Sequence, residues 1–346
     1  MHLPEGENVT DLSFAVIGCG SFGSRRVNAL RKIGARIVCL VDINEEMVSK
    51  MARDVGCEYH TDYREALKRK NLDCVVVATP NKFHAPISVA AMDAGKHVLC
   101  EKPLARNPEE ARAMVEAAKK NGVFLKTGSN LRYFSNVRKA KELVESGTIG
   151  KPLFVRGWIG HDGKKVLHTW NVDREMAGGG TVLDNGAHIL DLFRWFMGDF
   201  SVCTGHVATL HMPIEVEDNG MGIFRAEDGR MAFIQSSWTE WSGYMYMEMY
   251  GSEGSVIIDN RGEKAVNSGK WVVTSTTVLT AKDGSRQIFD YSAEPPQSYE
   301  LELKDFISCV EGGHQPMASG HDGMKVVEMV QAIYESSRLG RAVKLR

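Results

Sequence analysis

The chain has 346 residues, long enough for two domains that each bury an apolar interior. Charged residues make up 25% and the formal net charge is only -2, so no basic field exists to hold a nucleic acid or an anionic membrane, and a small-molecule partner fits better. The seven cysteines (Cys19, Cys39, Cys57, Cys74, Cys100, Cys203 and Cys309) show no paired spacing, which argues against a disulfide framework or zinc cage and for core thiols of a cytoplasmic protein. The opening MHLPEGENVTDL lacks a basic start followed by an apolar stretch, and no apolar run is long enough to span a bilayer, so neither a signal peptide nor a membrane segment is expected.

From Ser13 to Thr127, short apolar β-branched runs alternate with amphipathic stretches of helical period, the pattern of a parallel sheet with crossover helices. FAVI (14–17), RIVCLV (36–41), CVVVA (74–78), HVLC (97–100) and FLKT (124–127) read as strands, apolar on both faces because helices cover both sides of such a sheet. Helices are expected over Phe22–Ile33, Glu45–Val55, Pro86–Ala94 and Pro108–Asn121, the last capped by Asn107 with Pro108 in its first turn. After about Gly128 the rhythm changes. A helix over Ser135–Ser146 leads into strand-like stretches divided by Gly, Asp and Asn, with RMAFIQSSW (230–238), GSVIID (254–259) and KWVVTS (270–275) the clearest. Helical spacing returns over Asp322–Leu339. The expected fold is α/β: a doubly wound parallel sheet over residues 1–128, then an α/β domain over 129–346 with a large, mostly antiparallel open sheet. The last helix is a candidate to pack back on the first domain.

AVIGCGSFGSRR places Gly18, Gly20 and Gly23 as G-x-G-x-x-G directly after a strand, with Ser21 and Phe22 opening the helix. Gly18 permits the tight turn, Gly20 lets the backbone approach a pyrophosphate, and Gly23 allows close helix packing, while the helix N-terminus supplies N–H donors. Asp42 follows the next strand at the spacing where an acid accepts hydrogen bonds from an adenosine ribose. Its charge would repel a 2′-phosphate, and Ile43 and Asn44 bring no cation, so NAD is favoured over NADP. The plainer role for Asp42 is a cap for the helix at Glu45. VVVATPNKFHA turns at Thr79, Pro80 and Asn81 at the carboxyl edge of the sheet, where they and His84 can line the cofactor; equally, Pro80 and Asn81 form turns and His84 can sit in the next helix.

Glu101-Lys102-Pro103 stands at the end of the following strand, where Glu101 and Lys102 are further candidates to bind the cofactor, and GGGTVLDNGAH (178–188) comes later. With the glycine loop, Asp42 and ATPN in this order, the chain resembles the Gfo/Idh/MocA family, which includes glucose-fructose oxidoreductase and inositol dehydrogenase. The resemblance implies a Rossmann domain followed by an α/β domain whose open sheet often forms the subunit interface. It also implies a pyridine nucleotide and polyol, sugar or nucleotide-sugar substrates, and it carries catalytic roles over to Lys102, Asp184 and His188. Independently of the family, Lys102 at the active edge can stabilise an alkoxide; the bland alternative is a surface lysine paired with Glu101. The Lys102-Pro103 bond is a candidate for the cis form. Asp184 and His188, four apart, share a helical face, and an imidazole can take a hydroxyl proton near neutral pH while the carboxylate orients or binds substrate. Alternatively, Asp184 caps the helix and His188 is a core histidine. Asp191 reads as structural.

Between these motifs lie Asn130, Arg132, Tyr133, His161, Asp162, His168, Trp170, Asn171 and Asp173. Sugar hydroxyls need directional partners of this kind, and Asn130, Arg132, Trp170 and Asp173, with Asp184 and His188, are the candidate substrate contacts. Arg132 can instead hold an acid at the domain junction. No His/Cys/carboxylate cluster has zinc spacing, so no metal is expected. Three activities fit in decreasing order: hydride transfer between NAD and a secondary alcohol or ketone of a sugar-like substrate; a redox-assisted hydrolase or isomerase that keeps NAD bound; and a ligand sensor without turnover. Uncovered strands of the second domain predict a homodimer or homotetramer.

Overall fold

β-branched runs flanked by amphipathic helices build the first sheet. A computed structural model describes residues 10–264 and 271–345 of the chain. Its strands are β1 (Ser13–Ile17), β2 (Arg36–Val41), β3 (Glu58–His60), β4 (Cys74–Val77), β5 (His97–Glu101) and β6 (Leu125–Gly128). All pair in parallel in the order β3-β2-β1-β4-β5-β6, which puts the topological switch point between β1 and β4. The intervening helices are α1 (Ser21–Lys32), α2 (Glu45–Val55), α3 (Tyr63–Leu67), α4 (His84–Asp93) and α5 (Pro108–Asn121). Asn44 and Asn107 cap α2 and α5 by accepting the Met47 and Glu110 amides, and a left-handed glycine ends each, Gly56 and Gly122.

The second sheet begins after α6 (Ser135–Glu145) with β7 (Pro152–Gly160) and is interrupted by the short α7 (Arg174–Ala177) and by α8 (Ala187–Met197). It continues through β8 (Val202–Ala208), β9 (Asn219–Arg225), β10 (Met231–Ser237), β11 (Tyr244–Gly251), β12 (Gly254–Lys264), β13 (Trp271–Val273), β14 (Thr276–Ala281) and β15 (Arg286–Asp290). The chain ends with α9 (Ser298–Gly312), α10 (Gly320–Leu339) and β16 (Val343–Lys344). The path β15-β14-β12-β11-β7-β10-β9-β8-β16 is antiparallel except for the β7–β10 pair, and β13 pairs with β12 alone. KWVVTS was expected as one strand; only Trp271–Val273 is strand, and Lys270 lies outside the described residues.

Inward positions of this sheet include Gly157, Gly205, Gly220 and Gly222, where an added Cβ would press on Ile189 and Phe193 of α8, on Ile333 of α10, or on Val182. Bare backbone there lets the two helices pack onto the strands. The outward face carries Phe154, Trp158, Phe233, Ile223 and Tyr246 in register across neighbouring strands. Phe154 stacks on Tyr250 with centroids 4.7 Å apart, and Trp158 meets Tyr246 at 5.6 Å.

The chain divides into two compact units, one running to Asn130 and including Gln297–Met324, the other comprising Leu131–Pro296 and Lys325–Arg346. The segment that returns to the first unit is therefore α9, the turn after it and the first turn of α10, so only the start of the last helix belongs to this unit. Leu303, Phe306 and Ile307 of α9 join Phe14, Val16, Val27 and Leu30 in one apolar cluster. Among the described residues no helix is long and apolar enough to cross a membrane.

Candidate functional site

In the first unit the glycine loop lies at the switch point. Gly18 has φ +90°, and a Cβ there would sit 2.6 Å from the Ala78 carbonyl group, so the turn after β1 is pressed against the turn after β4. A Cβ on Gly23 would collide with the Gly18 carbonyl oxygen. Gly20 differs: its φ is an ordinary -65° and a Cβ would meet nothing within 4 Å. Protein packing does not demand a glycine at that point, whereas close approach of a ligand phosphate does. No side chain caps α1 and no acid occupies its first turn, which leaves its amides and partial positive charge for an anion.

Asp42 holds this loop from the end of β2. Oδ2 accepts the Cys19 amide at 2.7 Å and Oδ1 the Asn44 amide at 2.9 Å. Each oxygen keeps lone-pair capacity for a ribose hydroxyl. The helix cap at Glu45 falls to Asn44 instead. Thr79 has a buried hydroxyl with no hydrogen-bond partner in the described structure, a polar group at the carboxyl edge that a cofactor could satisfy. Pro80 opens a single 3-10 turn over Asn81–Phe83, and Asn81 is buried. The arrangement fits a dinucleotide.

Beside Lys102, Glu101 and His84 are both buried. The Glu101 Oε1 accepts the Arg26 Nε–H at 2.6 Å. Arg26, fully buried on α1, also pairs with Glu302 of α9 at 2.6 Å, and its guanidinium lies over the Tyr299 ring. Burial opposes the Arg26 charge, but Glu101 and Glu302 outweigh it and hold the group above its ordinary range. Glu302 is raised by the same burial, partly offset by Arg26 and Lys126. His84, expected along the cofactor, is buried with both nitrogens engaged, Nδ1 2.9 Å from the Pro103 carbonyl and Nε2 2.9 Å from the Thr79 carbonyl. Desolvation lowers its pKa, and a neutral ring donates to only one of the two carbonyls. His84 is thus a strut between the Thr79 turn and the Lys102-Pro103 turn. The Lys102-Pro103 bond is cis.

In the second unit, the segment expected to be plain α-helix begins as a π-helix over Val182–Gly186, which carries Asp184, and passes into α8, whose first turn carries His188. Single π turns inside helices occur frequently at functional sites. Both residues are half-buried. Arg132 does not stand free for substrate. Its Nε and terminal nitrogen donate to the two Asp191 oxygens at 2.8 and 2.6 Å, both side chains are buried, and Trp195 lies under the guanidinium at 5.3 Å. The planar fork expected to grip a substrate anion is spent on an internal carboxylate. Asp173 is a helix cap, accepting the Met176 amide at 3.0 Å. Trp170 is half-buried in a short 3-10 turn, and in the first unit Asn130 donates to the Ser298 hydroxyl at 3.2 Å.

Sequence reasoning missed Arg26, Glu302, Glu217 and Tyr334. Arg26 had a signal: it sits on the apolar stripe of α1 with Gly23, Val27 and Leu30, an unusual place for a cation without a buried partner. The two glutamates and the tyrosine are brought in by tertiary structure from remote positions, and nothing in their neighbourhoods marks them.

Comparison with known proteins agrees with this architecture. Residues 12–129 match the family described as "Oxidoreductase family, NAD-binding Rossmann fold", and residues 137–257 match the GFO/IDH/MocA C-terminal domain. The chain is 32% identical to 1,5-anhydro-D-fructose reductase of Ensifer adhaerens, covering 92% of this chain and 94% of that protein. It is 31% identical to myo-inositol 2-dehydrogenase of Thermotoga maritima, covering 96% and 98%. Among solved structures, levoglucosan dehydrogenase in complex with NADH and L-sorbose superposes with a TM-score of 0.86 at 25% identity, covering 97% of this chain and 99% of that one. Aldose-aldose oxidoreductase from Caulobacter crescentus, complexed with glycerol, gives 0.85 at 26% identity, covering 97% and 100%. The chain therefore belongs to the Gfo/Idh/MocA family of oxidoreductases and carries its NAD-binding Rossmann fold.

Proposed function

We infer that this chain is a dehydrogenase or reductase of a sugar or cyclitol that uses NAD in preference to NADP. The observation that carries the reading is the loop at the switch point, where Gly20 is left open, Asp42 holds the loop, and α1 begins uncapped. Relatives named for anhydrofructose, inositol and levoglucosan point to the substrate class. NAD, when bound, supplies the hydride chemistry. The Gly18–Gly23 loop and the α1 amides hold its pyrophosphate, Asp42 its ribose, and Thr79, Pro80 and Asn81 line its other end. In the oxidative direction His188 accepts the hydroxyl proton, Lys102 stabilises the negative oxygen, and Asp184 orients the hydroxyl.

A panel of myo-inositol, scyllo-inositol, 1,5-anhydro-D-glucitol, levoglucosan and common aldoses, incubated with NAD, is expected to give stoichiometric NADH with at least one member, read by absorbance. Substrate conversion without net NADH would favour an internal redox cycle instead, and binding without conversion would favour a sensor.

The outward face of the second sheet, with Trp158, Phe233 and Ile223 side by side, supports a homodimer or homotetramer. Light scattering at micromolar concentration is expected to give a multiple of the chain mass, lowered by Phe233→Glu. A monomeric wild-type protein would contradict this. Six of the seven cysteines are buried core thiols and Cys57 is half-buried, which supports a reducing, cytoplasmic setting.

A further inference from the structure

Gly178–Gly180 look in the sequence like a flexible way into a helix, yet Gly178 is the left-handed cap of α7 and two remote residues dictate Gly179 and Gly180. A Cβ on Gly179 would collide with the Tyr334 hydroxyl, and one on Gly180 with the Glu217 carbonyl oxygen. The amides of Gly180, Thr181 and Val182 open the segment that carries Asp184 and His188; at a helix start such donors have no partner within the helix. Glu217 takes all three. Its Oε2 accepts the Gly180 N–H at 2.9 Å, its Oε1 the Val182 N–H at 3.1 Å, and its carbonyl oxygen the Thr181 N–H at 3.0 Å. Tyr334 of α10 donates its hydroxyl to Oε1 at 2.8 Å. No side chain of the segment itself caps it. Thr181, fully buried, is further tied to β10, because the Ser236 hydroxyl donates to its carbonyl at 2.8 Å.

Glu217 is 6% exposed, so its carboxylate serves the interior and is not a solvated cap. Burial raises its pKa, while the Tyr334 hydroxyl and the Gly180 and Val182 amides pull it back. A π segment is an uncommon backbone that persists where surrounding contacts fix it. Here the fixing contacts include the carboxylate and the main-chain carbonyl of Glu217, the Tyr334 hydroxyl behind the carboxylate, and Ser236 beside Thr181.

We propose that Glu217, backed by Tyr334, is a positioning residue for the Asp184 and His188 pair: it fixes the backbone from which both side chains project, without touching substrate. This rests on the reading of His188 as the proton acceptor. Glutamine at 217 keeps the shape but turns an amide donor toward backbone donors, and phenylalanine at 334 removes the hydroxyl that bonds Oε1 and the Leu183 backbone.

The experiment compares full-length Glu217→Gln, Tyr334→Phe, His188→Ala and the two double variants, with NAD and the panel member of highest turnover. Glu217→Gln is expected to lower kcat about 10- to 100-fold and Tyr334→Phe about 3- to 10-fold. The Kd for NAD, from fluorescence titration, is expected to stay within about twofold. In the His188→Ala background each change is expected to cost less than about twofold more, because residues acting as a unit are not additive. If Glu217→Gln does not fold, Tyr334→Phe carries the test. Unchanged kcat in the folded variants, or losses that multiply in the His188→Ala background, would overturn the proposal. Full activity of His188→Ala alone would remove the reading it rests on, a pattern distinct from multiplying losses.

Discussion

Lys102→Met is expected to lower turnover about 100- to 1,000-fold while NAD still binds, because methionine keeps the length and apolar stem but removes the charge that meets a developing oxyanion. The backbone at this position is anchored by neighbours on both sides: Glu101 is held by Arg26, and the Pro103 carbonyl faces the His84 ring. The variant should therefore fold, with the melting temperature little changed. Turnover from NADH absorbance and NAD affinity from calorimetry give the two readings. Turnover within threefold of wild type would remove Lys102 from the chemistry.

Arg132→Ala is expected to act on stability. Truncating one member of a buried ion pair leaves the other charge stranded, at a cost of about 3–5 kcal/mol, and the melting temperature should fall on the order of 10 °C. The pair is bidentate and both side chains are almost fully buried, so solvent cannot take over for Asp191. Arg132→Met with Asp191→Leu should recover much of the loss, since removing both charges together avoids the stranded carboxylate. A substrate-binding arginine would behave differently, raising KM without a change in melting temperature, and that outcome would reverse the structural assignment.

These two residues also mark how far the sequence could be read. The position of Lys102 was legible because its strand, its proline and its place at the sheet edge are all local features. Arg132 stayed open between two partners, since a guanidinium reads the same in sequence whether its carboxylate is a ligand's or Asp191's. The first sheet emerged strand by strand, since buried parallel strands are continuous apolar runs. Most of the second did not, for reasons visible in β7 and β9. Their inward positions include Gly157, Gly220 and Gly222, where helices press on bare backbone, and their outward positions include Trp158, Met221 and Ile223. Apolar-in, polar-out alternation is erased on both faces. In α9 the buried stripe includes Glu302 beside Leu303, Phe306 and Ile307, which blurs its helical signal. On the site side, the glycine loop and the Asp184/His188 spacing were readable, but the π turn beneath them was not, because it depends on Glu217 and Tyr334.

The late return of Gln297–Met324 to the first unit has a consequence for biosynthesis. A ribosome delivers all six parallel strands, and then β7 to β15 of the second sheet, before Glu302 and Asp305 emerge. Until then Arg26 lacks one of its two carboxylates, Lys126 lacks the partner it holds at 2.8 Å, and the apolar surface destined for Phe306 is uncovered. The nucleotide-binding half of a nascent chain is thus unfinished until translation is nearly over, and a stop codon ahead of residue 297 would release a product prone to clump rather than a smaller working domain.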